Sequence, residues 1–119
     1  MIRVYAYANC STCRAALKFL ATKKIQATVL PIREQPPTKA ELKRMLVAVG
    51  GNLRRLFNTS GGDYKQMNLK ARLPAMTEAE AFELLSANGN LVKRPFLLTK
   101  AGGTAGFDEA EWKRILLGE

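Results

Sequence analysis

The sequence predicts an α/β fold in which a βαβ unit and a ββα unit flank an all-helical insertion. Near the amino terminus, two short apolar runs flank a helical pattern. Near the carboxyl terminus, two further apolar runs precede a helical pattern. The middle of the chain shows only helical periodicity. The 119 residues suffice for one domain with a hydrophobic core and are too few for two. We expect the core at about residues 1–33 and 92–119, and the insertion at about residues 37–90.

The first three elements form the βαβ unit. Apolar residues predict strands at residues 2–7 and 26–32, and helical spacing predicts a helix at residues 12–23 that Ser11 or Thr12 caps. Because one helix connects two strands so close together in the sequence, we expect the strands to be parallel.

The insertion begins after a proline pair and contains two capping boxes. The boxes lie at residues 38–41 and 77–80, and each precedes apolar residues at helical spacing. Gly50-Gly51 ends the first of these helices. A shorter helix at residues 63–68, capped by Asp63, lies between the two, so no strand is expected in this region.

The carboxyl-terminal third returns to strands. Residues 95–99 and 104–106 predict two strands joined by a glycine-rich turn, and Asp108 caps a last helix. The order βαβ, helical insertion, ββα is the thioredoxin-like order of elements. A C-x-x-C sequence at the start of the first helix independently favours the same fold.

The two cysteines of the chain, Cys10 and Cys13, lie at the junction between the first strand and the first helix. Free backbone N–H groups and the positive end of the helix dipole favour a thiolate there. The chain has no histidine, so Cys–His catalysis is excluded and a four-ligand zinc site would need a dimer or carboxylates. A structural disulfide closing so short a loop would stabilise weakly. The pattern therefore favours redox or nucleophilic chemistry, with arginine and the helix dipole activating Cys10.

The chain carries a net charge of +9, and residues 39–72 contain eight basic and two acidic residues. A nucleic acid, an acidic protein partner, a small anionic substrate or simply a solvated basic face would each fit this pattern. The few aromatic residues do not alternate with the basic ones as a base-stacking surface requires, so direct nucleic-acid binding is not favoured.

Composition also bears on location. With 47% apolar and 24% charged residues the chain is typical of globular proteins, and no apolar run approaches the ~20 residues of a membrane span. The amino terminus passes directly into a strand without a signal-peptide pattern. We therefore expect a cytoplasmic protein with no membrane partner.

The sequence resembles the arsenate reductase/Spx family, and four segments carry the resemblance in order. They are residues 7–14 (YANCSTCR), 56–61 (LFNTSG), 93–97 (KRPFL) and 106–107 (GF). The resemblance implies a thioredoxin-like fold with an inserted helical subdomain. It also implies that Cys10 is the reactive thiol, that Arg94 faces an anion and that Pro95 is cis.

The resemblance implies a thiol-dependent reductase with Cys10 as nucleophile and Cys13 as resolving thiol. Glutathione, thioredoxin or glutaredoxin would supply the electrons, with no bound cofactor or metal. The candidate residues for binding an anion or thiol substrate are Asn9, Arg14, Arg54, Arg94 and Pro95. Alternatively, Arg14 only faces solvent and Arg94 only forms a structural ion pair. Arsenate-reducing members carry a further arginine where this chain has Phe107, which argues against arsenate as the substrate.

Cys13 also resembles the Spx-like branch, which implies a second function. Spx-like proteins bind the carboxyl-terminal domain of the RNA polymerase α subunit and use their C-x-x-C as a redox switch. Their polymerase-contacting segment is similar to Gly50-Gly51-Asn52, although a helix stop explains these glycines equally well. A redox-inert adaptor is the third alternative.

Overall fold

Four strands form one mixed sheet in a computed structural model that describes residues 1–119. In the order β2-β1-β3-β4, the strands are β2 (Thr28–Pro31), β1 (Arg3–Ala6), β3 (Phe96–Leu98) and β4 (Gly103–Ala105). β1 is parallel to β2 and antiparallel to β3, and β4 is antiparallel to β3. The predicted βαβ and ββα units are therefore present, and the parallel pairing is confirmed.

Two helices cover one face of this sheet. They are α1 (Ser11–Thr22), which connects β1 to β2, and α6 (Glu109–Leu117) at the carboxyl terminus. Between them and the sheet lies a buried cluster formed by Val4, Ala6, Cys13, Ala16, Phe19, Leu20, Leu97 and Trp112. Trp112 is fully buried, packs edge-to-face against Phe19 and donates a hydrogen bond from Nε1 to the Gly106 carbonyl over 3.0 Å.

The insertion covers the opposite face and contains the other four helices. They are α2 (Lys39–Ala48), α3 (Gly62–Gln66), α4 (Leu69–Arg72) and α5 (Glu78–Ala87), with short 3-10 turns at Leu53–Leu56, Leu73–Ala75 and Gly89–Leu91. Because side chains alternate along a strand, Tyr5, Phe96 and Leu98 point away from α1 and join the larger core cluster under the insertion. No helix of the chain is both long enough and apolar enough to span a bilayer.

The insertion is joined to the sheet by backbone contacts close to the third strand. The Lys93 N–H donates to the Leu56 carbonyl over 2.9 Å, and the Asn58 N–H donates to the Leu91 carbonyl over 2.7 Å. Gly89 approaches the end of β2 so closely that an added Cβ would lie 1.8 Å from the Ile32 carbonyl oxygen. These contacts fix where the chain enters β3, and therefore fix the segment that contains Arg94 and Pro95.

Both capping boxes are confirmed, with Thr38 and Thr77 capping α2 and α5. Two other predicted caps are wrong. Asp63 lies inside the first turn of α3, where its carboxylate accepts hydrogen bonds from Asn88 (3.0 Å) and Asn90 (3.5 Å), and Gly61 occupies the cap position. The second is the cap of α1: neither Ser11 nor Thr12 caps this helix, because Cys10 does.

Candidate functional site

Cys10 occupies the N-cap position of α1, immediately after the loop that leaves β1. Its backbone is extended (φ −101°, ψ 119°), and its sulfur accepts a hydrogen bond from the Cys13 N–H over 3.3 Å. The first turn of α1 contains no acidic residue. The sulfur is therefore held against the positive end of a helix, with one of the helix's free N–H groups as its donor.

The surroundings of Cys10 favour its thiolate. Partial burial opposes ionisation, but the hydrogen bonds from Cys13 and the positive charge of Arg94 outweigh it, so the Cys10 pKa lies below its usual value. Because the thiolate is the nucleophilic form of cysteine, this environment increases the reactivity of Cys10 at neutral pH.

Cys13 lies one turn into α1 and has the opposite environment. Its side chain is fully buried, and its sulfur accepts a hydrogen bond from the Tyr7 N–H over 3.5 Å. Burial raises the Cys13 pKa to about 12, with the neighbouring Cys10 adding to the effect. Both cysteines are free thiols in the structure, and Cys10 is the more exposed of the two. The geometry thus gives the pair one accessible, ionisable sulfur and one enclosed, protonated sulfur.

Arg94 lies beside the cysteine loop, next to a cis peptide bond to Pro95 as the resemblance implied. Its guanidinium carbon is 5.0 Å from the centroid of the Tyr7 ring. The Nη1 atom of Arg94 is enclosed and has no hydrogen-bond partner, and Arg94 takes part in none of the five ion pairs. The alternative of a structural ion pair is therefore wrong, and Nη1 of this guanidinium keeps free N–H donors while the Arg94 charge acts on Cys10.

Two residues that the sequence did not single out complete this group. The Tyr7 hydroxyl accepts a hydrogen bond from Nη1 of Arg33 over 2.7 Å, and the Arg33 guanidinium carbon lies 4.8 Å from the Tyr7 ring centroid. Tyr7 follows β1 and Arg33 follows β2. Because the carboxyl ends of parallel strands meet at one edge of a sheet, the predicted βαβ unit already contained the signal that places them together.

The remaining candidate residues have different positions. Asn9 is exposed next to Cys10, and its amide donates to the Tyr7 hydroxyl over 3.4 Å. Arg14 is exposed and donates to the Ala8 carbonyl over 3.0 Å. Arg54 is exposed and lines a cleft of about 280 Å³ with Arg55 and Lys93. The structure thus groups Asn9, Arg94 and Pro95 with the cysteines, whereas Arg54 lies in a cleft without either cysteine.

Other features of the surface do not involve the thiols. A cavity of about 640 Å³ is lined by Arg3, Glu41 and Leu98 among others and lies at the end of the sheet opposite Cys10. No three Cys, Asp or Glu side chains are clustered in a way that could hold a metal ion.

Comparison with known proteins identifies the family of this chain. The ArsC family profile matches residues 5–115, a span that contains both cysteines, Arg94 and Pro95. The chain belongs to the ArsC family. The predicted relationship to arsenate reductases and Spx is thereby confirmed, and the thioredoxin-like fold class with it.

Relatives within the ArsC family carry different names. The chain is 41% identical over 109 residues to the uncharacterized protein YusI of Bacillus subtilis (strain 168), covering 92% of each chain. It is 26% identical to an arsenate reductase of Rhizobium meliloti (strain 1021), covering 85% of this chain and 71% of the relative. It is 25% identical to the global transcriptional regulator Spx of Enterococcus faecalis, covering 98% of this chain and 86% of the relative. The family therefore includes both enzymes and regulators.

Solved structures show the same ArsC-family architecture. A protein from Bacteroides fragilis described as related to the ArsC family superposes with a TM-score of 0.90 at 39% identity, covering 96% of each chain. SACOL0876 from Staphylococcus aureus COL superposes with a TM-score of 0.83 at 38% identity, covering 96% of this chain and 97% of that one. The fold described above is thus the fold of the family over nearly its whole length.

Proposed function

We propose that this ArsC-family protein is a thiol-dependent disulfide reductase, with Cys10 as nucleophile and Cys13 as resolving thiol. The observation that carries the proposal is the asymmetry of the two thiols. The accessible sulfur of Cys10 has a lowered pKa, whereas the buried sulfur of Cys13 has a pKa raised to about 12. Because the thiolate is the nucleophile, this asymmetry makes Cys10 the first thiol to attack and keeps Cys13 protonated until the mixed disulfide has formed.

The first step is attack by the Cys10 thiolate on one sulfur of the substrate disulfide. A new bond joins Cys10 to that sulfur, the substrate S–S bond breaks, and the departing thiolate takes a proton from solvent. The Cys13 N–H and the Arg94 guanidinium hold the attacking thiolate, and Arg94 has free donors for a negative group of the substrate.

In the second step Cys13 releases the bound half of the substrate. Formation of the mixed disulfide removes the negative charge from Cys10, which is one of the causes that raise the Cys13 pKa. Cys13 then loses its proton to solvent and attacks the Cys10 sulfur. The second substrate thiolate leaves, and Cys10 and Cys13 form a disulfide. No histidine is required at either step.

The oxidised pair must then receive two electrons and two protons to return to the dithiol. We propose a thiol donor of the thioredoxin, glutaredoxin or glutathione class, with no cofactor bound to the chain. Such donors act in reducing compartments, and we propose the cytoplasm as the site of the reaction.

Arsenate reduction is not part of the proposal. Phe107 occupies the position at which the resemblance implies a further arginine, and its ring packs 5.1 Å from Trp112 and 5.8 Å from Phe19, measured between centroids. An apolar side chain in that packing offers no donor to a tetrahedral oxyanion, which needs several charge-assisted hydrogen bonds.

A second function, a redox-responsive regulator that binds the RNA polymerase α subunit, is favoured by one observation. Relatives that match over most of their length are named Spx and the regulatory protein MgsR. Gly50 and Gly51 are exposed, but both have positive φ and end α2, with the Gly51 N–H donating to the Leu46 carbonyl over 2.8 Å. They are thus accessible to a partner and also explained as a helix stop.

Turnover by the purified protein tests the reductase proposal. NADPH oxidation would be followed with thioredoxin or glutathione regeneration, using a small neutral disulfide, a glutathionylated peptide and arsenate as substrates. We expect disulfide reduction that is lost in Cys10→Ser and no arsenate reduction. Absence of turnover by protein with both thiols reduced would contradict the proposal. Co-purification of the α-subunit carboxyl-terminal domain, sensitive to oxidation, would then support the regulator instead.

A further inference from the structure

Two guanidinium groups lie against a single aromatic side chain beside the reactive cysteine. The carbons Cζ of Arg33 and Arg94 are 4.8 Å and 5.0 Å from the centroid of the Tyr7 ring. Arg33 also donates to the Tyr7 hydroxyl over 2.7 Å. Tyr7 is linked to the cysteine loop by its backbone, because its carbonyl accepts from the Cys10 N–H over 3.1 Å and its N–H donates to the Cys13 sulfur.

Neither positive charge is neutralised by the protein. None of the five ion pairs of the structure includes Arg33 or Arg94. Arg33 is exposed, and Nη1 of Arg94 has no hydrogen-bond partner. Two like charges held close together repel, so their placement requires a compensating attraction, which the electron-rich face and the hydroxyl of Tyr7 provide.

The two arginines differ in their relation to the Cys10 sulfur. Arg94 precedes β3 and its positive charge lowers the pKa of Cys10. Arg33 follows β2, which neighbours β1 on the side away from β3, and it reaches the outer end of Tyr7, the hydroxyl. Arg33 is therefore placed where it would meet a part of the substrate beyond the attacked sulfur. A planar guanidinium with free donors in that place matches a carboxylate.

We propose that Arg33 is a specificity-determining residue that selects disulfides carrying a carboxylate near the scissile sulfur, and that Tyr7 is the residue that positions Arg33 and Arg94 for this. The inference rests on the proposed disulfide reductase function and names its substrate class. Arg94 lies at the end of the site where the sulfurs react. Arg33 binds the carboxylate of the substrate half that becomes attached to Cys10.

The first test compares three small disulfides that differ in charge: dithiodiglycolate (anionic), bis(hydroxyethyl) disulfide (neutral) and cystamine (cationic). In Arg33→Gln we expect kcat/KM for the anionic disulfide relative to the neutral one to fall about threefold to tenfold, and the relative value for cystamine to rise. Arg33→Lys keeps the charge but loses the planar fork of donors, so its ratio should lie between those of wild type and Arg33→Gln. Lys23→Gln, which removes an equal charge at the far end of α1, should leave the ratios unchanged.

Tyr7 variants separate positioning from charge. Tyr7→Phe keeps the ring and loses the acceptor for Arg33, and Tyr7→Leu loses both contacts. We expect the anionic-to-neutral ratio to fall in the order wild type, Tyr7→Phe, Tyr7→Leu, although both arginines are present in every variant. A ratio that does not change in Arg33→Gln and Tyr7→Leu, or an equal loss with all three disulfides, would overturn the proposal.

Alkylation distinguishes failure of this inference from failure of the proposed function. With Cys10 as the only cysteine (Cys13→Ser), the rate with iodoacetate divided by the rate with iodoacetamide reports attraction of an anion independently of the thiolate fraction. Arg33→Gln should lower this quotient about threefold. A lowered quotient without disulfide turnover would support the anion site and contradict the reductase. Turnover with an unchanged quotient and unchanged substrate ratios would contradict the anion site alone.

Discussion

The backbone N–H of Cys13 donates a hydrogen bond to the Cys10 sulfur over 3.3 Å, so the buried cysteine stabilises the thiolate of the exposed one. The same helical turn that gives Cys10 this donor buries the Cys13 side chain completely. A spacing of three residues at a helix start thus produces two thiols with pKa values shifted in opposite directions, and the predictions for the site begin from this difference.

The first prediction concerns the charge of Arg94. Arg94→Gln removes a positive charge that favours the Cys10 thiolate, so the Cys10 pKa should rise toward its ordinary value. The measurement is the rate of iodoacetamide alkylation of Cys10 against pH, in a Cys13→Ser background. Lys18→Gln, which removes an exposed charge from the middle of α1, is the matched control and should leave the midpoint in place. An unchanged midpoint in Arg94→Gln would show that this arginine does not act on the thiol.

The second prediction concerns the buried carboxylate of Glu41, at the opposite end of the sheet. Burial opposes its ionisation, but hydrogen bonds from Thr38 (2.9 Å), Tyr5 (2.7 Å) and Arg3 (3.0 Å) outweigh burial and hold the Glu41 pKa below its usual value. Because its pKa is lowered in the folded state, the Glu41 carboxylate makes its full contribution to the free energy of unfolding above the ordinary glutamate pKa of about 4.3. It is lost as the pH falls through the lower, folded pKa.

Glu41→Gln should therefore lower the free energy of unfolding by about 2 kcal/mol at pH 7, and by progressively less as the pH falls below about 4. Urea unfolding of wild type and variant across this range is the measurement. Glu83→Gln removes an exposed carboxylate that pairs with Lys39 and should have little effect at any pH. A Glu41→Gln difference that stays constant with pH would contradict the assignment of the charged state.

The third prediction concerns the contact between the insertion and the end of β2. An alanine Cβ at position 89 would lie 1.8 Å from the Ile32 carbonyl oxygen, so Gly89→Ala must displace backbone and should destabilise the protein by about 1–3 kcal/mol. Gly62→Ala is the control, since its Cβ would meet nothing within 4 Å, and it should change stability by less than about 0.5 kcal/mol. Equal stability of the two variants in urea unfolding would show that the close approach is not maintained.

Much of the fold follows from local sequence patterns. The capping boxes begun by Thr38 and Thr77 start α2 and α5 as predicted, because a capping box uses only residues within four positions of each other. Three strands are shorter than predicted, for example β1, which covers Arg3–Ala6 instead of residues 2–7, and β4 begins and ends one residue earlier than predicted. Hydrogen-bonded pairing with neighbouring strands decides where a strand ends, and the apolar pattern does not show that pairing.

The incorrect predictions involve partners distant in the sequence or unusual caps. Asp63 has the residue type of a helix cap, but its carboxylate binds Asn88 and Asn90, which only the folded chain brings near. Ser11 and Thr12 are better caps by residue type than a cysteine, yet the loop geometry places Cys10 at the cap position. Local propensity cannot anticipate either case.

Part of the candidate site could be identified only from the structure. The cysteine pair and Arg94 could be chosen from motifs. The predicted βαβ unit places Tyr7 and Arg33 at the same edge of the sheet, but only the structure shows that their side chains are in contact. The lack of an ion pair at Arg94 depends on where every carboxylate lies, which the sequence does not state.

The central claim is that Cys10 attacks and Cys13 resolves, and trapping of the covalent intermediate tests it most directly. Reduced Cys13→Ser would be mixed with a glutathionylated peptide, and the adduct located by mass spectrometry of the digested, non-reduced protein. We expect a stable mixed disulfide at Cys10 in Cys13→Ser, none in Cys10→Ser, and a Cys10–Cys13 disulfide in wild type. An adduct that forms in Cys10→Ser at the wild-type rate, or a Cys13→Ser variant that never retains one, would contradict the account.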